Sequence, residues 1–178
     1  MSLKVLILSS TPRKGGNSDI LCDQFAKGAR EAGHQVEKVR LAEKNIGYCH
    51  ACYACRHHGC VQQDDAGAIL DQMMAADVIV LATPVYFYTM SAQLKALIDR
   101  SVAIYPKLTH KRYYYIMTMA DTDSAKFEGT LAALRGFLDC YDGSVEEGII
   151  RAPGVYEKGE VSATPAFEEA YRLGRALH

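Results

Sequence analysis

The sequence predicts an α/β domain built on a five-stranded parallel sheet of order 2-1-3-4-5, sandwiched between two layers of helices. Three observations lead there. Five short apolar runs alternate with five amphipathic segments of helical period. The first run, Val5-Leu6-Ile7-Leu8, and the third, Val78-Ile79-Val80-Leu81-Ala82, are apolar on both faces, as in strands covered on both sides. Right-handed crossovers then leave few topologies. The 2-1-3-4-5 order sets the loops after strands 1 and 3 side by side where the winding reverses, and ligands in open α/β sheets bind at that crevice.

Lys4 to Ser9 reads as a buried strand ended by small residues. Ser18 to Ala32 is a helix, with Leu21, Phe25, Gly28, Ala29 and Ala32 on one face and Gly33 as its terminator. Gln35 to Leu41 is a more polar strand, nearer an edge. Ala42 to Gln63 is irregular and holds four of the six cysteines. Asp64 and Asp65 open a helix through Ala66, Ile69, Leu70, Met73 and Met74. Asp77 to Thr83 is the most apolar strand and is expected at the centre. A loop, Thr83 to Met90, leads to a helix from Ser91 whose buried face is Leu94, Leu97, Ile98 and Val102. Lys111 to Met119 is a strand whose tyrosines, 113 to 115, alternate between faces. Ser124 to Cys140 is a helix, Ser144 to Arg151 the last strand, and Pro165 to Leu177 the last helix. Cys22 and Cys140 are read as core residues, and His34 and His110 as solvated element ends.

With 178 residues the chain is expected to form one domain, 1–178, with a cysteine-rich loop at 42–63. A net charge of −1 gives no reason to expect nucleic acid or an anionic membrane as partner. No apolar run is long enough for a membrane span, and the N-terminus lacks signal-peptide architecture, so a cytoplasmic protein is expected. In that reducing compartment clustered cysteines are metal ligands or redox groups before they are disulfides.

Ser9 to Ser18 follows a strand and precedes a helix, an arrangement that favours a bound anion. Ser10, Thr11 and Ser18 add hydroxyls, and Arg13 adds a two-pronged cation. The loop is no nucleotide-triphosphate loop, because G-x-x-x-x-G-K-[ST] is absent, and no dinucleotide loop, because G-x-G-x-x-G is absent. It holds no cysteine for a phosphatase, and no carboxylate pair for a phospho-acceptor domain follows strand 1. A phosphate monoester that is held rather than hydrolysed fits what remains. A plain capped helix, with Asn17 or Ser18 as cap, explains neither Arg13 nor the loop length. The second loop, Thr83-Pro84-Val85-Tyr86-Phe87-Tyr88, offers the flat apolar contact a planar heteroaromatic ring needs, or an aromatic subunit interface. Monoester and ring together describe FMN.

The chain resembles the NAD(P)H-dependent FMN reductases of flavodoxin-like fold, and in particular their iron–sulfur flavoprotein branch. The resemblance rests on Thr11-Pro12-Arg13-Lys14-Gly15-Gly16-Asn17-Ser18, on Cys49-x-x-Cys52-x-x-Cys55 with Cys60-Val61 and Asp64-Asp65, and on Thr83-Pro84-Val85-Tyr86-Phe87 with Ser91-Ala92-Gln93-Leu94-Lys95 and Ile98-Asp99-Arg100. It implies bound FMN and a homodimer or homotetramer. The residues show no triad or carboxylate dyad, so the flavin is expected to carry the chemistry with no catalytic side chain. By the same resemblance Ser10, Thr11, Arg13, Asn17 and Ser18 hold the phosphate. Pro84, Val85, Tyr86 and Phe87 flank the ring, and Ala120 and Asp121 complete its site.

Cys49, Cys52, Cys55 and Cys60 form C-x2-C-x2-C-x4-C, closer to the dense thiolate runs that hold a [4Fe–4S] cluster than to separated zinc knuckles. The resemblance points the same way. Zinc with His50, His57 and His58, free thiols, or a disulfide are the other readings. The function expected is electron transfer between a reduced donor, FMN and a [4Fe–4S] cluster, with NAD(P)H as a transient donor and a small molecule or protein as partner. The alternatives are a cluster-free NAD(P)H-dependent FMN or quinone reductase, and a non-catalytic FMN-binding module.

Overall fold

The computed structural model describes residues 1–105 and 107–178. In chain order its elements are β1 (Lys4–Ser9), α1 (Asn17–Glu31), β2 (Gln35–Arg40), α2 (Cys55–His58), α3 (Ala66–Ala75), β3 (Val78–Tyr86), β4 (Thr89–Met90), α4 (Ala92–Arg100), β5 (Arg112–Thr118), α5 (Glu128–Leu138), β6 (Val145–Ala152) and α6 (Pro165–Arg175). The main sheet runs β2-β1-β3-β5-β6, all parallel, which is the expected 2-1-3-4-5 order. No helix among the described residues is long and apolar enough to cross a membrane.

Side-chain alternation along the strands divides the core into two layers. Leu6, Leu8, Ile79, Leu81, Tyr113 and Tyr115 point into the layer packed by α3, α4 and α5. Val5, Ile7, Val78, Val80, Tyr114 and Ile116 point into the layer packed by α1 and α6. Cys22 is fully buried there, and burial pushes its thiol pKa up, so it stays neutral and inert. The two helices of this layer touch backbone to backbone. A Cβ built on Gly28 would lie 2.2 Å from the Tyr171 carbonyl oxygen, and one on Gly174 would lie 2.1 Å from that of Phe25.

Several details differ from the sequence expectation, beginning with the short helix α2 inside the 42–63 stretch expected to be irregular. The loop after the central strand is a hairpin. β3 runs on to Tyr86, and β4 pairs with it antiparallel, Val85 opposite Met90 and Tyr86 opposite Thr89. Its two turn residues, Phe87 and Tyr88, have φ of 48° and 62°. Such turns normally advertise themselves by Gly or Asn, and bulky residues in the left-handed region are uncommon. Val102 is half exposed rather than buried, because α4 ends at Arg100 and a tighter 3-10 turn, Ser101–Ile104, buries Ile104 instead. His34 is buried, not solvated. Its Nδ1 accepts from the Leu3 N–H at 3.1 Å and its Nε2 donates to the Leu177 carbonyl at 3.0 Å, clasping the two ends of the described chain. Cys140 is exposed, since α5 stops at Leu138 and the residue falls in the following turn.

Candidate functional site

Parallel strands deliver their following loops to one edge of the sheet. Here these are the loop after β1, the β3–β4 hairpin, the 119–123 loop after β5 and the 153–161 loop after β6. Ser10 ties the first to the second. Its hydroxyl donates to the Ala82 carbonyl at 2.8 Å and accepts from the Ser91 hydroxyl at 2.8 Å, so it is fully engaged within the protein. Thr11 is buried, its Oγ1 receiving the Arg13 N–H at 3.3 Å. Gly16 leaves the loop open: a Cβ there would stand 3.0 Å from the Arg13 carbonyl oxygen and 3.1 Å from Thr11 Oγ1. Arg13 reaches across the edge to donate to the Tyr156 carbonyl at 2.8 Å.

The start of α1 is the chemically unfinished part of this loop. Gly16 stands at the N-cap position and no side chain caps the helix, contrary to the expected Asn17 or Ser18 cap. The backbone N–H groups of Asn17 and Ser18 have no partner among the described residues. The Ser18 hydroxyl is buried with no hydrogen-bond partner, a costly arrangement without a ligand. Asn17, in contrast, directs its amide at the last loop, donating to the Glu157 carbonyl and accepting from the N–H groups of Gly159 and Val161. Orphan donors at an open helix N-terminus fit a phosphate, which accepts several hydrogen bonds and carries negative charge.

Asp19, which the sequence reading passed over, holds the loop from beneath. Its carboxylate accepts from the Ser9 hydroxyl (2.9 Å), the Gly15 N–H (2.9 Å), Lys38 Nζ (3.2 Å) and Arg40 Nη1 (2.7 Å). Burial raises its pKa, but the Gly15 N–H, the Ser9 hydroxyl and the Lys38 charge together outweigh that and hold it below the usual value. The signal was present in Lys38 and Arg40, two cations at strand period on one face of β2. A carboxylate with a depressed folded pKa stabilises above the unfolded value, near about 3.9, and that contribution is lost as pH falls through the folded pKa. Asp19→Asn is expected to cost about 2 kcal/mol in urea unfolding at pH 7, and the difference from wild type should shrink below about pH 4.

On the ring side Pro84 is buried, Val85 half-buried, Tyr86 42% exposed and Phe87 fully exposed. The Tyr88 hydroxyl approaches Asp121 Oδ2 at 3.5 Å, and the Asp121 carbonyl accepts from the Gly154 N–H at 2.9 Å. Ala120 is exposed at the same edge. The structure therefore brings the predicted phosphate-side and ring-side residues to adjoining loops.

A cavity of about 710 Å³ lies elsewhere, beside the cysteine stretch, and Cys49, Cys52, Cys55 and Cys60 all line it. Cys49 and Cys52 are exposed, Cys55 and Cys60 half-buried, and all four are free thiols. Among the described residues no three His, Cys, Asp or Glu side chains converge closely enough to bind a metal ion. Residues 45–65 nonetheless form a loop closed at its base. Asp65 Oδ2 accepts from the Asn45 N–H at 2.7 Å, Asp64 Oδ2 from the Gly47 N–H at 2.9 Å, and the Gln62 amide donates to the Tyr48 carbonyl at 2.9 Å. Arg100 locks that base. Its side chain is 1% exposed and pairs with both Asp64 oxygens (2.6 and 3.0 Å), the Gly47 carbonyl (3.0 Å) and Cys60 Sγ (3.3 Å). The Arg100 pairing holds the Asp64 pKa down, with burial opposing. Arg100 follows Leu94 and Leu97 at three-residue spacing on the buried face of α4, and that charge in an apolar row was its readable signal. Four thiols on one cavity beside a guanidinium suit a thiolate-ligated anionic cluster in the chemistry of the donor set, although the sulfurs are not converged. From Ser91, which is bonded to Thr83 and Ser10, to Arg100 the path along α4 is about 14 Å.

The sequence profile of the NADPH-dependent FMN reductases matches residues 3–144. An iron–sulfur flavoprotein of Methanosarcina thermophila is 40% identical over 103 residues, 57% of this chain and 54% of that one. Another, from Archaeoglobus fulgidus, is 35% identical over 113 residues, 63% and 51% of the two chains. The chain thus spans about half the length of the curated relatives it matches. Among solved structures, the NAD(P)H:quinone oxidoreductase from Methanothermobacter marburgensis superposes with a TM-score of 0.77 at 18% identity, covering 100% of this chain and 98% of that one. An FMN-dependent NADH-azoreductase from Bacillus anthracis, solved in complex with FMN, gives 0.75 at 17% identity, covering 98% of each. These two likenesses establish the flavodoxin-like fold. With the profile covering most of the sequence and the loops in the positions described, the chain belongs to the NADPH-dependent FMN reductase family.

Proposed function

We propose that this protein is an FMN-dependent oxidoreductase of the iron–sulfur flavoprotein type. FMN lies across the four-loop edge, and a [4Fe–4S] cluster is held by Cys49, Cys52, Cys55 and Cys60. The observation that carries the reading is the uncapped mouth of α1, where buried donors await an acceptor beside a hairpin of exposed aromatics. The N–H groups of Asn17 and Ser18, the Ser18 hydroxyl and Arg13 bind the phosphate, while Thr11 and Ser10 shape the loop. Pro84, Val85, Tyr86 and Phe87 would border the ring, and Ala120 and Asp121 would complete its site. When bound, FMN supplies hydride or single-electron chemistry, and a cluster supplies single electrons, so no side chain is needed as acid or base. NAD(P)H is the proposed donor. The exposed Tyr86, Phe87 and Tyr88 leave an aromatic surface for a second copy to cover in a homodimer or homotetramer.

A second reading, a cluster-free NAD(P)H-dependent FMN or quinone reductase, draws on the exposure of Cys49 and Cys52 and the lack of convergence among the four thiols. An absorption spectrum of protein purified without oxygen, with iron and sulfide analysis, separates the two. The first reading expects flavin bands, a broad shoulder bleached by dithionite, and iron. A flavin spectrum with no iron selects the second, and a colourless protein that takes up no FMN rejects both. Arg13→Ala is expected to weaken FMN binding about tenfold. Cys52→Ala should lose iron and keep flavin, and full iron retention in that variant would remove the cluster assignment.

A further inference from the structure

We propose that Lys158, in the loop between β6 and α6, is a second cation for the phosphate of the flavin, and that Asn17 is the residue that positions it. This rests on the FMN reading above. Asn17 is 2% exposed, and its three amide bonds all go to the Glu157–Val161 segment: to the Glu157 carbonyl at 2.9 Å, the Gly159 N–H at 3.1 Å and the Val161 N–H at 3.4 Å. Arg13 adds its bond to the Tyr156 carbonyl. Glu160 folds the segment on itself by accepting from the N–H groups of Tyr156 (2.7 Å) and Glu157 (3.0 Å), and Gly159, with φ +96°, completes the reversal. Lys158 sits within this turn.

The turn lays the lysine stem over the phosphate loop. A Cβ on Gly15 would meet Lys158 Cε at 3.0 Å and Nζ at 3.2 Å. The ammonium thus stands at Gly15, two residues before the open Asn17 N–H and three before Ser18, whose N–H is open and whose hydroxyl is unpartnered. Among the described residues Lys158 makes no salt bridge, and the buried carboxylate below, Asp19, is committed to Lys38 and Arg40. Lys158 is exposed, so water can reach its ammonium, but the buried, unpartnered Ser18 hydroxyl and the open N–H groups nearby favour an anion, and a phosphate monoester suits both. The segment lies beyond residues 3–144, so this wall of the site is separate from the part the family profile matches.

The test compares FMN with riboflavin, which has the ring but no phosphate, by fluorescence titration of the full chain freed of flavin. Lys158→Met keeps the stem and removes the charge. It is expected to raise the FMN dissociation constant about fivefold at low salt and leave riboflavin within about twofold of wild type. Lys158→Arg should restore FMN binding. In an Asn17→Ala background the Lys158→Met effect on FMN should fall below about twofold, because the ammonium is no longer held in place. Unchanged FMN affinity in Lys158→Met, or an equal loss for FMN and riboflavin, overturns the proposal. Wild-type protein that binds neither ligand rejects the flavin reading itself and Lys158 with it. Wild type that binds both equally removes the phosphate site and the role of the lysine.

Discussion

Arg100→Met is expected to destabilise the protein by about 4 kcal/mol in urea unfolding at pH 7. The side chain is among the largest fully buried ones and closes the base of the cysteine loop from one point, touching Asp64, Gly47 and Cys60. Removing it leaves Asp64, itself 8% exposed, as a buried carboxylate without its cation. That unpaired charge, more than the lost attraction, sets the cost. The pH dependence follows from the lowered Asp64 pKa. Its stabilisation is complete above the unfolded carboxylate value and lost as pH falls through the folded one, so the gap between wild type and variant should narrow below about pH 4. Arg100→Met with Asp64→Leu should recover part of the loss, because neither charge then remains buried. A single-variant loss under about 1 kcal/mol would mean that solvent reaches the pair.

Gly28→Ala is expected to cost about 3 kcal/mol by the same measurement. The added methyl would stand 2.2 Å from the Tyr171 carbonyl oxygen and 2.7 Å from the Arg175 nitrogen, both backbone atoms of α6, so no side chain can rotate away. α1 and α6 must move apart, opening the layer built on Val5, Ile7, Tyr114 and Ile116. Because α1 also carries the open N–H groups proposed to hold the phosphate, FMN affinity should fall with stability. Gly67→Ala is the control of opposite sign. Gly67 lies on the exposed face of α3 with nothing within 4 Å of a new Cβ, and alanine there should stabilise by about 0.5–1 kcal/mol. If both glycine variants were destabilised alike, close helix contact would not be the cause.

By itself the sequence determined the alternation of five strands with helices, most of the helix faces, the two unusual loops after strands 1 and 3, and the clustering of four cysteines. Each of these is written in local periodicity or in spacing along the chain, whereas the handedness of crossovers only narrowed the strand order to a few topologies, which the pairing of β2-β1-β3-β5-β6 resolved. The tertiary structure decided what depends on residues far apart in sequence. Asp19 becomes an anchor only because β2 returns Lys38 and Arg40 beside it. Arg100 becomes a lock only because the loop base folds onto the end of α4. The 83–90 loop becomes a hairpin through left-handed turn residues that carry no turn signature. The Asn17 amide belongs to the 157–161 segment, at a separation no local pattern encodes, while the neighbouring Ser18 hydroxyl is left open. Local chemistry names the candidate donors, and only packing decides which remain free to meet a ligand, since a buried donor already satisfied by the protein has nothing left to offer.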